Sequence, residues 1–513
     1  MALFIFSFCL CLAIHILYRY RQKRFFPRPP GPFGWPLIGN ALQLPLERMH
    51  IFYEELGRKF GSGILYVEAL GQPIIIINDV QIAIDLLEKR SLIYSSRPRS
   101  VMLHDLIKAD KFFGIMEYGD EWKNSRRIFQ QYFSSKNMLR VEDKILTFVR
   151  TFFLPNILED PENFDEHIRS CIGGASLSLI YGLPVQRIND PFIHSIAEPS
   201  KRSGEAASAG KYLVNVIPIL KYIPEWMPGA TFKRVAREIR ADLNRITNVP
   251  FENVLKNMRD GTAPESFVSV SLEDHRHRPN FEMQEISIKY AAAQIFGGAY
   301  DTTIASMKTF ILVMLMYPDI QQKVHEEIDS VIGFDELPDF SDKVRLPYLS
   351  AVLKELLRWN PITPLVIPHC TTADDVYEGY YIPKGSLVLA NAHAMLHNPD
   401  NYPNPEEFRP ERFMKGGAEI LDPFTAGVFG FGRRICPGSH VAQSILYIIA
   451  ASFLSLFDVK PVLDDDGRPV QVKPEFTTAS LQSAPLPFKC QITPREGKNV
   501  ENLLQDYMGV DVL

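Results

Sequence analysis

One cysteine of the chain stands in a segment whose residue types suit ligand binding. Cys436 lies in FGFGRRICPGSH, from Phe429 to His440, and an apolar run over residues 441–457 follows it. The run predicts a helix, and a thiolate just before a helix is favoured by the positive end of the helix dipole and by free backbone N–H groups. We therefore expect a lowered pKa for Cys436 and a sulfur that acts as a ligand.

The neighbours of this cysteine favour the same interpretation. Gly432 and Gly438 have no side chain, so the backbone can turn sharply there and a flat ligand can approach it. Phe429 can pack beside the sulfur and exclude water, and Arg434 can pair with an anionic group. The alternative is a buried cysteine in an ordinary turn, which would need none of these neighbours.

A second segment places an acid and a hydroxyl next to each other. Asp301 and Thr302 lie in FGGAYDTT, from Phe296 to Thr303, within a long helical pattern. Each of the two glycines costs about 1 kcal/mol relative to alanine in the middle of a helix. That cost indicates a bulge or the close approach of a ligand. The alternative for Thr302 is a hydroxyl that donates to the carbonyl four residues earlier in its own helix.

These motifs resemble those of the cytochrome P450 family of haem-thiolate monooxygenases. The family signature Phe-x-x-Gly-x-Arg-x-Cys-x-Gly is met at Phe429, Gly432, Arg434, Cys436 and Gly438. The resemblance implies that these five residues bind haem b, which is iron protoporphyrin IX, and that Cys436 is the axial ligand of the iron. A thiolate ligand increases the electron density at the iron and favours cleavage of the O–O bond.

The resemblance also assigns a role to the acid and the hydroxyl. The segment from Gly298 to Thr302 matches the family pattern Ala/Gly-Gly-x-Asp/Glu-Thr, with Ala299 where the family usually has glycine. The match implies that Asp301 and Thr302 lie over the haem and relay protons to bound oxygen. The departure at Ala299 bears on the shape of the helix groove rather than on the relay.

Three charged residues are expected to form a network. Glu355 and Arg358 in KELLRWNP are three residues apart, so they lie on one helix face and can pair, and FRPERF supplies Arg412. An isolated pair of this kind is usually exposed and contributes about 0.2–1 kcal/mol. The resemblance implies instead that the three charges are buried together near the haem loop, where they hold the fold and do no chemistry.

Three further residues are candidates for the haem carboxylates, which require cations or hydrogen-bond donors. Trp122 and Arg126 in EWKNSRR have the family's Trp-x-x-x-Arg spacing, one helical turn apart. His369 in VIPHC matches a position where the family has arginine or histidine. The alternatives are a surface charge for a partner at Arg126 and a hydrogen-bonded core histidine at position 369.

The elements that must position these residues are mostly helices. Strand patterns occur at 64–67, at 73–77 and around 380–390, and helical periodicity dominates elsewhere. One helix is expected from an N-cap at Asn280 to Met316, before Tyr317 and Pro318, and at that length it would span roughly 54 Å. We therefore expect a mainly α-helical fold with small β-sheets, which is the cytochrome P450 fold that the resemblance implies.

Composition and charge exclude several classes of protein. The 513 residues are 46% hydrophobic and 22% charged, which predicts a large core and excludes a mostly disordered chain. A net charge of −5 excludes an overall basic field for nucleic acid. The six cysteines include no Cys-x-x-Cys pair, so neither a disulfide scaffold nor a zinc ribbon is indicated. Residues 46–495 are expected to form one catalytic domain, followed by a polar tail over 496–513.

The N-terminus predicts a single transmembrane anchor over residues 1–18. Residues 2–18 carry no formal charge and would form a helix about 26 Å long, near the lower limit for spanning a bilayer. Residues 19–45 follow as a basic flank and a proline-rich spacer, and the basic residues favour a cytosolic side for the rest of the chain. We expect an endoplasmic reticulum protein, with a cleaved signal peptide as the alternative.

The function implied by the resemblance is insertion of one oxygen atom of O2 into a hydrophobic small molecule. Mostly apolar segments at 99–116, 292–299, 362–367 and 477–481 are expected to wall the substrate pocket. The pattern of the closing segments is most similar to fungal members, which suggests a secondary metabolite, such as a terpenoid or polycyclic aromatic compound, or a xenobiotic.

No nucleotide-binding fingerprint follows a predicted strand, so electrons are expected from NADPH through a separate cytochrome P450 reductase, with cytochrome b5 as a second candidate donor. Exposed cations such as Lys123 and Arg433 would suit the docking of such a partner. Two other functions stay open at this point. One is a haem-thiolate isomerase or dehydratase that needs no reductase, and the other is a non-catalytic haem sensor.

Overall fold

The computed structural model of this protein describes residues 27–187, 190–193, 202, 206, 212–414, 420–477 and 481–508. The predicted transmembrane anchor and residues 19–26 of the basic flank lie outside the described residues. By its internal contacts the described chain divides into two units. We call residues 27–98, 364–395 and 425–435 the sheet unit, and residues 99–363, 396–424 and 436–508 the helical unit.

Helices make up most of the described chain, as the periodicity predicts. The α-helices are α1 (Met49–Phe60), α2 (Val80–Ala83), α3 (Ser91–Tyr94), α4 (Asp120–Tyr132), α5 (Met138–Phe148), α6 (Leu154–Glu159), α7 (Phe164–Tyr181), α8 (Thr231–Asp260), α9 (Phe267–His275), α10 (Phe281–Met316), α11 (Pro318–Val331), α12 (Pro347–Trp359), α13 (Ala392–Leu396), α14 (Ser439–Leu456) and α15 (Val500–Leu504). Wider π-type turns occur at Ile84–Lys89, Val101–Ile107 and Val149–Phe153.

The strands are short. They are β1 (Ile64–Ala69), β2 (Gln72–Ile77), β3 (His369–Cys370), β4 (Asp375–Tyr377), β5 (Tyr380–Ile382), β6 (Leu387–Ala390), β7 (Phe457–Lys460) and β8 (Gln491–Pro494). The expectation of small β-sheets in a mainly helical fold is therefore confirmed.

A four-stranded sheet organises the sheet unit, in the order β1-β2-β6-β3. β1 pairs antiparallel with β2, β2 pairs parallel with β6, and β3 pairs antiparallel with β6. Helix α1 packs Tyr53 and Leu56 against apolar side chains of the sheet such as Leu65 and Ile76. Burial of this apolar surface stabilises the sheet and fixes the position of His369 on β3.

Helix α10 is the central element of the helical unit and contacts α4, α7, α8, α9, α12 and α14. Its 36 residues end as predicted, because Pro318 cannot continue the hydrogen bonding of the helix. The chain turns by 104° there and begins α11. Asn280 precedes the helix as expected, although its side chain makes no capping hydrogen bond.

Among the described residues, α14 is long and apolar enough to cross a membrane, and the bent pair of α10 and α11 would be a second candidate if counted as one span. The apolar window of α14 is 72% buried within the protein, so its composition is that of a core helix. The predicted N-terminal anchor lies outside the described residues and stays a prediction.

Candidate active site

The loop before Cys436 is shaped by glycine. Gly432 has φ +55°, and a side chain there would collide with the backbone oxygen of Leu87. Only glycine therefore fits this close approach of two backbone segments. Arg434 is buried in the sheet unit, and its Nε donates to the carbonyl oxygen of Ser95 at 2.7 Å. Phe429 is partly exposed. The chain then enters the helical unit at Cys436.

Cys436 is three residues before α14 begins, as the apolar run predicts, and its side chain is partly accessible. Gly438 is the N-cap of that helix. Burial raises the pKa of the Cys436 thiol, and the backbone N–H of Gly438 and the positive charge of Arg126 partly oppose this rise. A Cβ at Gly438 would have only the Phe129 ring edge nearby, at 3.9 Å. The surroundings of the sulfur therefore leave room for a flat ligand.

The expected lowering of the Cys436 pKa is wrong for the protein alone. Burial raises the pKa of this thiol above its ordinary value, and burial outweighs the N–H of Gly438 and the charge of Arg126. The physical reason is that a thiolate loses hydration in surroundings of low polarity, which disfavours the charged form. A bound metal cation would displace the proton, because a coordinating thiol is deprotonated outright.

Trp122 and Arg126 lie one turn apart on α4, as their spacing predicts. Trp122 is buried against the ring of Tyr118, with 5.2 Å between the ring centroids. Burial lowers the pKa of Arg126, while the Cys436 thiol raises it, and no ion pair joins Arg126 to a carboxylate in the described part of the chain. A half-buried guanidinium of this kind is suited to an anionic ligand.

His369 is held in the sheet unit by one of its two ring nitrogens. Nδ1 lies 2.8 Å from the carbonyl oxygen of Tyr94, so Nδ1 carries the proton, and Nε2 is buried without a hydrogen-bond partner among the described residues. Burial lowers the pKa of His369 well below its usual value, and the charges of Arg97 and Arg434 lower it further. The imidazole is therefore neutral.

Sequence reasoning missed Arg97. This side chain is 6% exposed, and its Nη1 donates to the carbonyl oxygens of Ile367 at 2.5 Å and Pro368 at 2.8 Å. Burial and the nearby charge of Arg434 lower its pKa. The only signal in the sequence is an arginine before a proline in SSRPR, which does not by itself indicate a ligand. The sheet unit thus gathers two buried guanidinium groups and a histidine.

The structure brings Glu355, Arg358 and Arg412 together in the helical unit. Arg358 Nε and Nη2 donate to the two oxygens of Glu355 at 2.7 and 2.9 Å, and Arg412 Nε donates to Glu355 Oε1 at 2.9 Å. All three side chains are fully buried. The arginines also donate to backbone carbonyls, including those of Leu396 and Pro403. This is a buried network with its polar groups satisfied.

Asp301 and Thr302 lie on α10, which continues through the glycines without a break. Thr302 Oγ1 donates to the carbonyl oxygen of Gly298 at 2.8 Å. This is the hydrogen bond to the carbonyl four residues earlier that was the alternative role of Thr302. A Cβ added at Gly297 would meet open space. Because the described helix is continuous at the glycines, the anticipated bulge is absent there. The open space beside Gly297 leaves room for a ligand.

The apolar walls expected for the substrate pocket serve partly as core. Val101, Met102, Leu103 and Ile107 are buried in a cluster of the helical unit. Leu106, Phe112 and Ile115 are only partly buried. An apolar stripe alone cannot distinguish these two groups, and residues 478–480 of another expected wall lie outside the described residues.

Comparison of the sequence with known protein families identifies the family of this chain. A sequence model of the cytochrome P450 family matches residues 29–489. The chain belongs to the cytochrome P450 family.

Several curated relatives of this P450 are fungal monooxygenases. A cytochrome P450 monooxygenase of Armillaria gallica is 38% identical over 95% of this chain and 96% of its own length. Cytochrome P450 monooxygenase 208 of Postia placenta is 39% identical over 95% and 94%, and tryptamine 4-monooxygenase of Psilocybe cyanescens is 37% identical over 93% and 94%. The recognition from sequence is confirmed, and the protein is a haem-thiolate monooxygenase.

The residues of this P450 fit a haem by their chemistry. Within the helical unit, Cys436 is partly buried and Arg126 is half-buried beside it. Within the sheet unit, Arg97 and Arg434 are buried, and Nε2 of His369 has no hydrogen-bond partner among the described residues. Buried cations and unsatisfied polar atoms are costly in a protein interior unless a ligand compensates them. Among the described residues no cluster of three or more His, Cys, Asp or Glu could hold a separate metal ion.

Proposed function

We propose that this P450 inserts one oxygen atom of O2 into a hydrophobic small molecule of secondary metabolism, such as a terpenoid or polycyclic aromatic compound, or into a xenobiotic. The observation that carries the proposal is the accessible face of α10. Asp301 and Thr302 lie on a stretch of this largely buried helix that the protein leaves uncovered. An acid and a hydroxyl beside open space can deliver protons to a bound oxidant.

The roles of the site residues follow from their chemistry and from the family resemblance. Cys436 is proposed as the iron ligand, with Phe429, Gly432 and Gly438 shaping its surroundings. When bound, haem supplies the activation of O2. Thr302 holds a proton at Oγ1, and Asp301 resupplies it from solvent.

Four residues are proposed to hold the haem carboxylates. They are Trp122, Arg126, His369 and Arg434. Arg434 and Arg126 supply positive charge, while His369 and Trp122 are suited to hydrogen bonding. Arg97 joins this set because it is buried and because its charge interacts with the charge of Arg434.

The electron source is proposed to be NADPH, used through a separate cytochrome P450 reductase, with cytochrome b5 as a further donor. Lys123 and Arg433 are exposed cations that would suit an acidic partner surface. Lys123 is 2.9 Å from Asp120, and Arg433 Nε donates to Ser91 Oγ at 3.0 Å. Both side chains are thus held in defined positions at the surface of their units.

The name of one relative offers an analogy for the substrate. One relative is named for its action on tryptamine, a small aromatic amine. At 37% identity this supports an aromatic compound as one candidate beside the terpenoids. We also propose that residues 1–18 anchor the protein in the endoplasmic reticulum membrane with the catalytic domain in the cytosol, which rests on the sequence pattern alone.

The proposed function is tested by titrating the purified ferric protein with terpenoid hydrocarbons and planar aromatics and following the haem absorption band. A shift from low to high spin with one class would identify the substrate class. Each compound that shifts the band is then incubated with reductase, NADPH and O2, and one added oxygen atom is sought in the product by mass spectrometry. Absence of any oxygenated product with every compound that binds would refute the proposal.

Replacement of the iron ligand provides the control. Cys436→Ala should abolish the thiolate spectrum and the product, whereas Cys490→Ala, at another half-buried free cysteine, should leave both unchanged. A thiolate spectrum retained in Cys436→Ala would contradict the assignment of the ligand.

A further inference from the structure

One face of α10 is open along two turns. Between Ala291 and Met307 the residues that are not buried are Gln294, Gly297, Gly298, Ala299, Asp301 and Thr302. Apart from Ala299, these lie at i, i+3, i+4, i+7 and i+8, which is a single helix face. Glutamine 294 is therefore the one polar side chain on this face, within the described residues, that the proton-delivery proposal does not use.

The orientation of the Gln294 amide follows from its neighbour in the preceding loop. The backbone N–H of Gly114 lies 3.3 Å from Gln294 Oε1. Because a backbone N–H can only donate, the accepting atom is the oxygen, and a Cβ at Gly114 would lie 3.3 Å from the other terminal atom of the amide, Nε2. A side chain at Gly114 would press on Oε1 at 2.8 Å, so glycine permits this contact.

The nitrogen of this amide borders the open stretch of α10 at Gly298. Gln294 Nε2 lies 3.8 Å from the position of a Cβ on Gly298. Among the described residues, it is the only atom that such a Cβ would have within 4 Å, apart from Gly298, its chain neighbours and nearby backbone of its own helix. Gly298 is itself exposed. Nε2 has no hydrogen-bond partner among the described residues, so both of its donor hydrogens are available at the open face.

We propose that Gln294 determines specificity in this P450 by donating a hydrogen bond from Nε2 to an acceptor oxygen of the substrate. The inference rests on the proposed function, since it identifies a feature of the substrate oxidised at that site. The substrate class is an apolar molecule that carries one carbonyl, hydroxyl or ether oxygen, rather than a pure hydrocarbon.

The position of the acceptor on the substrate follows from the helix. Gln294 Nε2 and Thr302 Oγ1 both approach Gly298, one beside its Cα and the other at its carbonyl oxygen. The amide and the hydroxyl that we propose to deliver protons therefore both lie beside Gly298, which is one helical turn from each of their residues. The acceptor oxygen should therefore lie on the part of the substrate that faces this stretch of α10.

The surroundings make this hydrogen bond selective. Gly297 and Gly298, which share the open face with Gln294, bring no polar side chain to it. An apolar substrate that fills such a site removes water from Nε2, and a substrate without an acceptor then leaves the donor unsatisfied. A site of this kind discriminates against the analogue that lacks the acceptor.

The test compares pairs of probes that differ by one oxygen. 2-Adamantanone and adamantane, and 9-fluorenone and fluorene, are measured by equilibrium dialysis and by the spin shift of the full-length protein. We expect the wild type to bind the ketone of at least one pair about threefold to tenfold more tightly than its hydrocarbon. Gln294→Met should abolish that preference and leave hydrocarbon binding unchanged.

Two further variants separate the donor from the other roles of Gln294. Gln294→Glu keeps an acceptor for the Gly114 N–H but replaces Nε2, so it should also lose the preference. Gln284→Met removes a buried glutamine of the same helix, whose Oε1 accepts from Asn124, and should keep the preference.

Two results would overturn the proposal. One is a wild type that prefers neither ketone, including one that binds neither, and the other is a preference that survives in Gln294→Met. Absence of reductase-dependent oxygenation would instead refute the proposed function, because dialysis reports binding in either case.

Discussion

At the scale of residues, the buried network around Glu355 should contribute far more to stability than its sequence spacing suggests. Arg358 and Glu355 are fully buried, so removing the arginine leaves a carboxylate with half of its partners. We expect Arg358→Ala to lower the free energy of unfolding by about 3–5 kcal/mol, measured by urea denaturation of the haem-loaded protein. If the variant does not fold, Arg358→Lys, which keeps the charge but loses the bidentate contact, should give a smaller loss.

The matched control for this network is a pair with the same spacing at the surface. Glu273 and Arg276 are also three residues apart, 3.6 Å from each other, and more than half exposed. Arg276→Ala should change the free energy of unfolding by less than about 1 kcal/mol. Equal losses in the two variants would show that burial does not decide the value of the pair.

Thr302 is predicted to couple electron use to product formation. Thr302→Ala removes the hydroxyl on the open face of α10 while leaving the helix backbone in place. We expect the product formed per NADPH consumed to fall about tenfold or more, with an unchanged thiolate spectrum. Ser306→Ala removes the same type of bond, from Ser306 Oγ to the carbonyl oxygen of Thr302 at 3.0 Å, at a buried position and should keep the coupling. Unchanged coupling in Thr302→Ala would refute the relay.

At the scale of elements, the packing of α11 against β7 should make stability depend on pH. His325 of α11 is buried 3.7 Å from Asp458 of β7, and burial, together with the charge of Arg495, lowers its pKa to about 4. The unfolded chain, with a histidine pKa near 6.5, binds more protons than the native state between these values. Stability should therefore fall as the pH is lowered from about 6.5 to about 4.

This dependence is measured as the difference in the free energy of unfolding between pH 7 and pH 5. His325→Gln should reduce the difference by roughly 1–2 kcal/mol, since glutamine has no proton to gain. His277→Gln, at an exposed position, should leave it unchanged. His50 of the sheet unit has a similarly lowered pKa of about 4, so part of the dependence should remain. An identical pH dependence in His325→Gln and the wild type would contradict the prediction.

At the scale of the whole molecule, the first 26 residues are predicted to hold the protein on the membrane. Full-length protein should stay with membranes after alkaline carbonate extraction, and a chain lacking residues 2–26 should be extracted. The shortened chain should keep the thiolate spectrum, because the match to the cytochrome P450 family begins at residue 29. Extraction of the full-length protein by carbonate would refute the anchor.

The shortened chain should still associate weakly with lipid. Phe33, Trp35, Leu42 and Leu46 follow the predicted anchor and are more than half exposed in the sheet unit. Apolar side chains of this kind favour a membrane or a partner surface over water. Salt-resistant but carbonate-sensitive binding of the shortened chain would fit this expectation.

The sequence by itself determined the family, the signature residues around Cys436 and the bounds of α10. These features depend on residues close together in the chain: five positions around Cys436, and a helical periodicity that Pro318 ends because proline lacks an N–H. Interactions between residues that are close in the chain depend little on the rest of the fold, so the sequence alone indicates them.

The tertiary structure decided which groups are buried and which face open space. Burial by distant segments reverses the expected direction of the Cys436 pKa, gathers Arg97 with Arg434 and His369, and leaves one face of α10 uncovered so that Gln294 Nε2 is available. Desolvation and packing depend on neighbours that lie hundreds of residues apart in the chain, so a local sequence pattern does not show them.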